Sequence, residues 1–237
     1  MCWQLGISRC LDREISTLGL KSMIDVAVLI SGSGTNLQAL IDNCARDDFP
    51  ARIVLVISNN PDAKGLERAE KAGIPTKVIN HRDYPDRETY DDQLDEALNE
   101  CGAKLICLAG FMRILDARFV NRWRNRMLNI HPSLLPSFKG LHTHERAIEA
   151  GVRFTGCTVH YVNPELDDGP IITQAVVAIN PDEGADSLAE RILSQEHIIY
   201  PQALKLVAEG RVRVVGNKVT IRDADYENLM CVNPKAE

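Results

Sequence analysis

The sequence predicts an α/β fold: a mostly parallel sheet with helices on both faces, followed by a long C-terminal helix and a β-hairpin. Three observations carry this. Evenly apolar, β-branched runs alternate with segments of helical periodicity. Those runs lack the in-out alternation of a sheet with one wet face, so helices must cover both sides. No internal repeat or low-complexity linker divides the 237 residues, which fits one domain built from βαβ units.

Residues 1–22 carry no such pattern and read as an extension outside the core, with Met23 placed like an alternative start. Residues 23–237 form the single domain. Its first strands are residues 26–30, 53–57, 77–79 and 105–108. Asn60 followed by Pro61 has the form of a capping residue and a first-turn proline, opening a helix over 62–72 that Gly73 closes. From Arg87 onward, Tyr90, Leu94, Ala97, Leu98 and Cys101 recur at three and four, with Gly102 as the stop. Residues 155–162 and 171–179 read as two further strands. Leu188, Ile192, Ile199, Leu204 and Val207 mark a long helix that Pro201 should kink. A hairpin then joins residues 212–215 to 219–221 through Gly216 and Asn217.

Composition narrows the function. Lys and Arg total 27 against 33 Asp and Glu, and a net charge of -6 gives no long-range attraction for a nucleic-acid backbone or an anionic membrane. An anionic small molecule must therefore be caught by a local site. Seven cysteines without a C-x-x-C pair argue against a disulfide framework and a zinc clasp, and point to the reducing cytoplasm. No run approaches a membrane span, and residues 1–21 lack the apolar core of a signal peptide.

Three segments can carry chemistry. Ser31-Gly32-Ser33-Gly34-Thr35-Asn36 is a glycine-rich turn from the first strand into a helix, where backbone N–H groups can hold a phosphate. Leu37 stands where a dinucleotide fingerprint has glycine, and no Lys-Ser or Lys-Thr follows the last glycine, so a monophosphate fits better than NAD or ATP. In Met127-Leu128-Asn129-Ile130-His131-Pro132, a strand ends with an amide and an imidazole two residues apart, hence on one face. At the carboxyl edge of a parallel sheet, such a pair suits an oxygen on which negative charge develops. Glu165, Asp167 and Asp168 lie in a polar loop between two strands, and either Asp167 or Asp168 could reach His131 and favour its protonated form. His142 and His144 have metal-ligand spacing, but they fall at a helix start with no third ligand. Arg118, Arg122, Arg124 and Arg126 around Trp123 read as a solvated helix face.

Together, residues 31–38, 108–115, 129–136, 140–144 and 165–170 resemble the phosphoribosylglycinamide formyltransferase family, in order, over residues 24–210. The resemblance implies transfer of a formyl group from 10-formyltetrahydrofolate, the co-substrate, to the amine of glycinamide ribonucleotide in purine biosynthesis. It also implies a Rossmann-like N-terminal half over about residues 23–125 for the phosphate, and a C-terminal half over about 126–237 for folate and catalysis. By position, Gly34, Thr35 and Asn36 would bind the substrate phosphate and Glu196 its ribose. Asn129, His131 and Asp167 would be catalytic. Arg87, Met112, Arg113, Ile114 and Leu115, with Asn129, would line the folate site, and no metal is implied. Two departures from the family pattern stand at Ser137-Phe138-Lys139 and at Asp168.

The expected partners are glycinamide ribonucleotide and formyl-folate, with no nucleic acid and no membrane, in a monomer or homodimer. A 10-formyltetrahydrofolate hydrolase usually adds a regulatory domain that 22 residues cannot supply. Methionyl-tRNA formyltransferase adds a C-terminal domain and a basic surface. A non-catalytic phosphoribosyl or folate binding protein has no need of Asn129, His131 and Asp167.

Overall fold

A computed structural model describes residues 23–226 and 231–234; the extension expected over residues 1–22 lies outside them. The chain runs β1 (Ile24–Ile30), α1 (Thr35–Cys44), β2 (Ala51–Ser58), α2 (Lys64–Lys71), β3 (Thr76–Val78), α3 (Arg87–Glu100), β4 (Leu105–Leu108), α4 (Ala117–Arg122) and β5 (Met127–His131). There follow α5 (Thr143–Glu149), β6 (Phe154–Tyr161), β7 (Ile171–Ala178), α6 (Ala185–Ala208), β8 (Val212–Val215) and β9 (Lys218–Ile221). Seven strands form one sheet in the order β3-β2-β1-β4-β5-β6-β7, and β8 and β9 make a separate hairpin. The five strands from β3 to β5 pair in parallel, while β6 and β7 are antiparallel additions. The sheet order reverses between β1 and β4, and ligands of open α/β sheets bind in the crevice at such a point.

Apolar side chains alternate between two cores. Val28, Ile30, Cys107, Leu128 and Ile130 pack toward one face with Leu37 and Leu40 of α1 and Ile192, Tyr200 and Leu204 of α6. Leu29, Ile57, Ile106, Leu108 and Met127 pack toward the other with Leu94 and Leu98 of α3 and Phe119 and Trp123 at α4. Both faces are covered, which is why the strands carry no polar alternation.

Helix α2 begins at Lys64, two residues later than the proline signal implies. The Asn60 side chain accepts the N–H of Asp62 at 3.1 Å and its carbonyl accepts that of Ala63 at 3.3 Å, so Pro61 belongs to a turn ahead of the helix. Helix α3 starts at Arg87 as the periodicity requires, capped by Asp86 through the N–H of Thr89. The arginines of α4 meet α3 carboxylates: Arg118 pairs with Glu88 at 2.9 Å and Asp92 at 3.0 Å, and Arg122 pairs with Asp92 at 3.1 Å. Arg118 and Arg122 thus make a charge-paired helix face, while Arg124 and Arg126 lie beyond the end of α4, with Arg126 over the Trp123 ring.

Candidate active site

Strand β1 delivers the chain into the glycine turn, and Gly34 stands before α1 with φ +69°, a left-handed conformation that costs glycine nothing. A Cβ at Gly34 would lie 2.5 Å from the Cα of Gly65, so α2 closes on the turn through two glycines. The N–H of Gly65 donates to the Gly32 carbonyl at 3.0 Å, and Arg68 Nε donates to the Ser33 carbonyl at 2.9 Å. The first-turn N–H groups of α1 have no intrahelical acceptor and are free for an anion. They face a cleft of about 320 Å³ bounded by the glycine turn, Gly110, Met112, Ile130, Pro132 and Glu196. At its buried wall, Asn36 Nδ2 donates to Glu196 Oε2 at 2.7 Å. Burial pushes the Glu196 carboxyl up, and the Asn36 bond pulls it back. The four residues expected to hold phosphate and ribose thus share one cleft. One side-chain N–H of Asn36 is committed to Glu196, which leaves its second side-chain N–H and its backbone N–H.

On β5, Asn129 and His131 project to the same face, as the strand period requires. The antiparallel register sets His160 opposite Asn129 and Thr158 opposite His131. His160 Nδ1 lies 2.8 Å from the Tyr161 carbonyl, which can only accept, so Nδ1 carries the proton. That leaves Nε2 to accept from Asn129 Nδ2 at 3.2 Å. This bond aims the Asn129 amide and leaves its second N–H free. Burial pulls the His160 imidazole below its usual value, while the Tyr161 carbonyl and Asp167 push the other way.

His131 is buried, with Nε2 at 3.0 Å from the Phe138 carbonyl and Nδ1 at 3.4 Å from Asp167 Oδ2. Both ring nitrogens face acceptors, an arrangement that suits the imidazolium. Asp167 Oδ2 also accepts the N–H of Gly140 at 2.8 Å, and its Oδ1 lies 3.9 Å from His160 Nε2. The Asp167 backbone is left-handed, φ +48°, a conformation that Asp tolerates better than most residues. A Cβ at Gly169 would lie 1.7 Å from the Tyr161 carbonyl, so glycine there lets the loop lie against β6. Asp167, not Asp168, is the carboxylate at His131; Asp168 pairs outward with Lys139. The segment after His131 is held to β6 by Thr158, whose Oγ1 donates to the Ser133 carbonyl at 2.7 Å and accepts the N–H of Leu135 at 3.1 Å.

A second cavity, about 170 Å³, lies beside this group and is bounded by Leu108, Phe111, Arg113, Ile114, Leu115, Asn129 and Asp167, among others. Four of the residues expected at the folate site, Arg113, Ile114, Leu115 and Asn129, therefore meet here. Met112 does not: it lines the cleft at the glycine turn, and its N–H donates to Ser31 Oγ at 2.8 Å. Arg87, the first residue of α3, is exposed and outside the cavity wall. The two cavities lie on opposite faces of the sheet, since Leu108 and Asn129 are cross-strand neighbours on one face and Ala109 and Ile130 turn to the other. Buried thiols offer no rival nucleophile, because burial pushes Cys107 far up and Cys157 to about 12.

Residues 24–204 match the family described as Formyl transferase. The chain is 47% identical over 195 residues to the phosphoribosylglycinamide formyltransferase of Haemophilus influenzae, covering 82% of this chain and 92% of that protein. The chain belongs to the phosphoribosylglycinamide formyltransferase family. It is also 54% identical over 192 residues to the trifunctional purine biosynthetic protein adenosine-3 of Bos taurus, covering 81% of this chain but only 19% of that longer protein. Among solved structures, glycinamide ribonucleotide transformylase 1 from Symbiobacterium toebii superposes with a TM-score of 0.83 at 48% identity, covering 85% of this chain and 95% of that one.

The stretch matched to the formyl transferase family holds both cavities and ends within α6, beyond Glu196 and before the β8–β9 hairpin. Two residues escape a reading of the sequence alone. His160 is a lone histidine in an apolar strand, and only its register opposite Asn129 reveals its partner. Tyr200 places its hydroxyl 2.9 Å from the Leu108 carbonyl and 3.2 Å from that of Leu128, tying α6 to the two strands between the cavities. Its helical periodicity gives only a core position.

Proposed function

We propose that the protein transfers the formyl group of 10-formyltetrahydrofolate to the amine of glycinamide ribonucleotide, giving formylglycinamide ribonucleotide and tetrahydrofolate in purine biosynthesis. The observation that carries this is the pair of cavities on opposite faces of β4 and β5, with Asn129 and Asp167 in the wall of the second and His131 against Asp167. The ribonucleotide lies in the cleft of Gly34, Thr35, Asn36 and Glu196, and the folate in that of Arg113, Ile114, Leu115 and Asn129. Their reacting atoms meet over the carboxyl edge of the sheet.

The amine nitrogen attacks the formyl carbon, and the carbonyl pair moves onto oxygen. The free N–H of Asn129 and the His131 imidazolium hold that oxyanion, with Nε2 exchanging the Phe138 carbonyl for substrate oxygen. Collapse breaks the bond to the folate nitrogen. The proton lost by the amine passes to that nitrogen, with His131 as general acid and Asp167 holding its charge. A cytoplasmic setting fits five described cysteines that are all free thiols. Among the described residues, no helix is long and apolar enough to cross a membrane.

The test is folate release followed spectrophotometrically with and without glycinamide ribonucleotide. Release that requires the ribonucleotide supports the transferase. Release without it indicates hydrolysis, and tight binding without release indicates a binding protein.

A further inference from the structure

The segment Met112-Arg113-Ile114-Leu115, whose last three residues line the folate cavity, is irregular and lies between β4 and α4. It is tied at both ends by hydrogen bonds to neighbouring elements. At its start, the N–H of Met112 donates to Ser31 Oγ at 2.8 Å, and that hydroxyl in turn donates to Asn59 Oδ1 at 2.5 Å. At its end, the N–H of Asp116 donates to Asp91 Oδ2 at 2.6 Å. Asp116 then caps α4, accepting the N–H of Phe119 at 2.7 Å.

Asp91 is the unusual member. It sits on α3, fully buried, one residue after Tyr90, and its helix contributes no side chain to the wall of the cavity. A purely structural position on the buried face of α3 calls for an apolar residue. A carboxylate there with one oxygen on a loop N–H and the other, Oδ1, without a hydrogen-bond partner is expensive to keep. The Tyr90 hydroxyl and Arg113 Nε are also buried without partners, so the loop and α3 meet through polar groups at the back of the cavity.

We propose that Asp91 is a positioning residue for folate: its carboxylate fixes the end of the Met112-to-Leu115 segment and so sets the wall against which the folate ring system lies. This rests on the reading of that cavity as the folate site. The groups facing Asp91 are the N–H and carboxyl of Asp116 from the start of α4, and Tyr90 and Arg87 from its own helix. Burial, with the neighbouring Asp116 carboxyl, pushes Asp91 up to about 6, while the Asp116 N–H and Arg87 pull it down. The charged form, the stronger acceptor, therefore dominates above about pH 6 and is lost below it.

The test is fluorescence titration of the full chain with a 5,8-dideaza analogue of formyl-folate from pH 5 to 8, alongside KM for glycinamide ribonucleotide and the melting temperature. Wild type is expected to bind the analogue more weakly below pH 6. Asp91→Ala is expected to weaken analogue binding about tenfold at pH 8, with KM for the ribonucleotide within about twofold. Asp91→Asn keeps an acceptor and is expected to bind within about threefold of wild type at pH 8, without the loss below pH 6. The proposal is overturned if Asp91→Ala binds the analogue as wild type does, or if folate and ribonucleotide affinities fall together in both variants. A wild-type chain that takes up the ribonucleotide but not the analogue overturns the folate reading, and this proposal with it.

Discussion

At the scale of single residues, the candidate site depends on which atoms are already committed. Asn129 gives one amide hydrogen to His160 and keeps the other, and His131 is flanked by a carbonyl and a carboxylate. Asn129→Ala should therefore lower turnover by about 10²–10³, the cost of one oxyanion donor. His131→Ala should lower it by about 10²–10⁴, the range of a general acid. In both variants the fold and the binding of glycinamide ribonucleotide should be kept, with turnover falling far more than folate affinity, which calorimetry and titration can check. Asn129 and His131 are legible in the sequence because the strand period puts them on one face. In its own loop Asp167 is legible only as one of a pair with Asp168, and the family resemblance alone singles it out, because the choice between them depends on a left-handed backbone and on Gly169 packing against β6. His160 is not legible at all, since a histidine in an apolar strand looks the same whether it satisfies itself locally or aims a neighbour.

His160 also has a thermodynamic signature. Its imidazole is held neutral in the fold, with a value below the usual 6.5. The unfolded chain thus binds a proton first as pH falls, and stability declines as pH drops below about 6.5. His160→Gln removes this proton uptake. Its melting temperature should approach that of wild type as pH is lowered from 8 to 5.5, and a constant difference across that range would contradict the assignment.

At the scale of elements, the sequence is read best where local chemistry decides the outcome. The α3 start at Arg87 and the hairpin turn at Gly216 and Asn217 follow from helical periodicity and a turn signal. The start of α2 does not. Asn60 and Pro61 satisfy both a first helical turn and a separate preceding turn, and the contact of α2 with the glycine loop selects the latter. That contact also gives the glycine turn its role. Gly34→Ala brings a Cβ within 2.5 Å of the Gly65 backbone and puts a side chain at φ +69°. The variant should melt lower, by at least the roughly 1 kcal/mol of a left-handed alanine, and lose at least tenfold in affinity for glycinamide ribonucleotide while folate binding is kept. Isothermal titration with each ligand separates these effects.

At the scale of the whole molecule, alternation along two neighbouring strands does most to arrange the site. Leu108 and Asn129 face the α3 and α4 side, and Ala109 and Ile130 face the α1 and α6 side, so consecutive residues open two different cavities. The parallel sheet covered on both faces is legible in the apolar runs. The placing of Asp167 beside His131 is not, because it depends on where β5 stops and on a loop some thirty residues later. The central claim is that two separately bound substrates meet at Asn129, His131 and Asp167. It is tested most directly by Asp167→Asn, with dissociation constants for the ribonucleotide and the dideaza-folate measured beside single-turnover formyl transfer. The account predicts both constants within about threefold of wild type and transfer slowed by at least about 10². Transfer at a near-normal rate, or a slow rate explained by lost binding of either ligand, would contradict it.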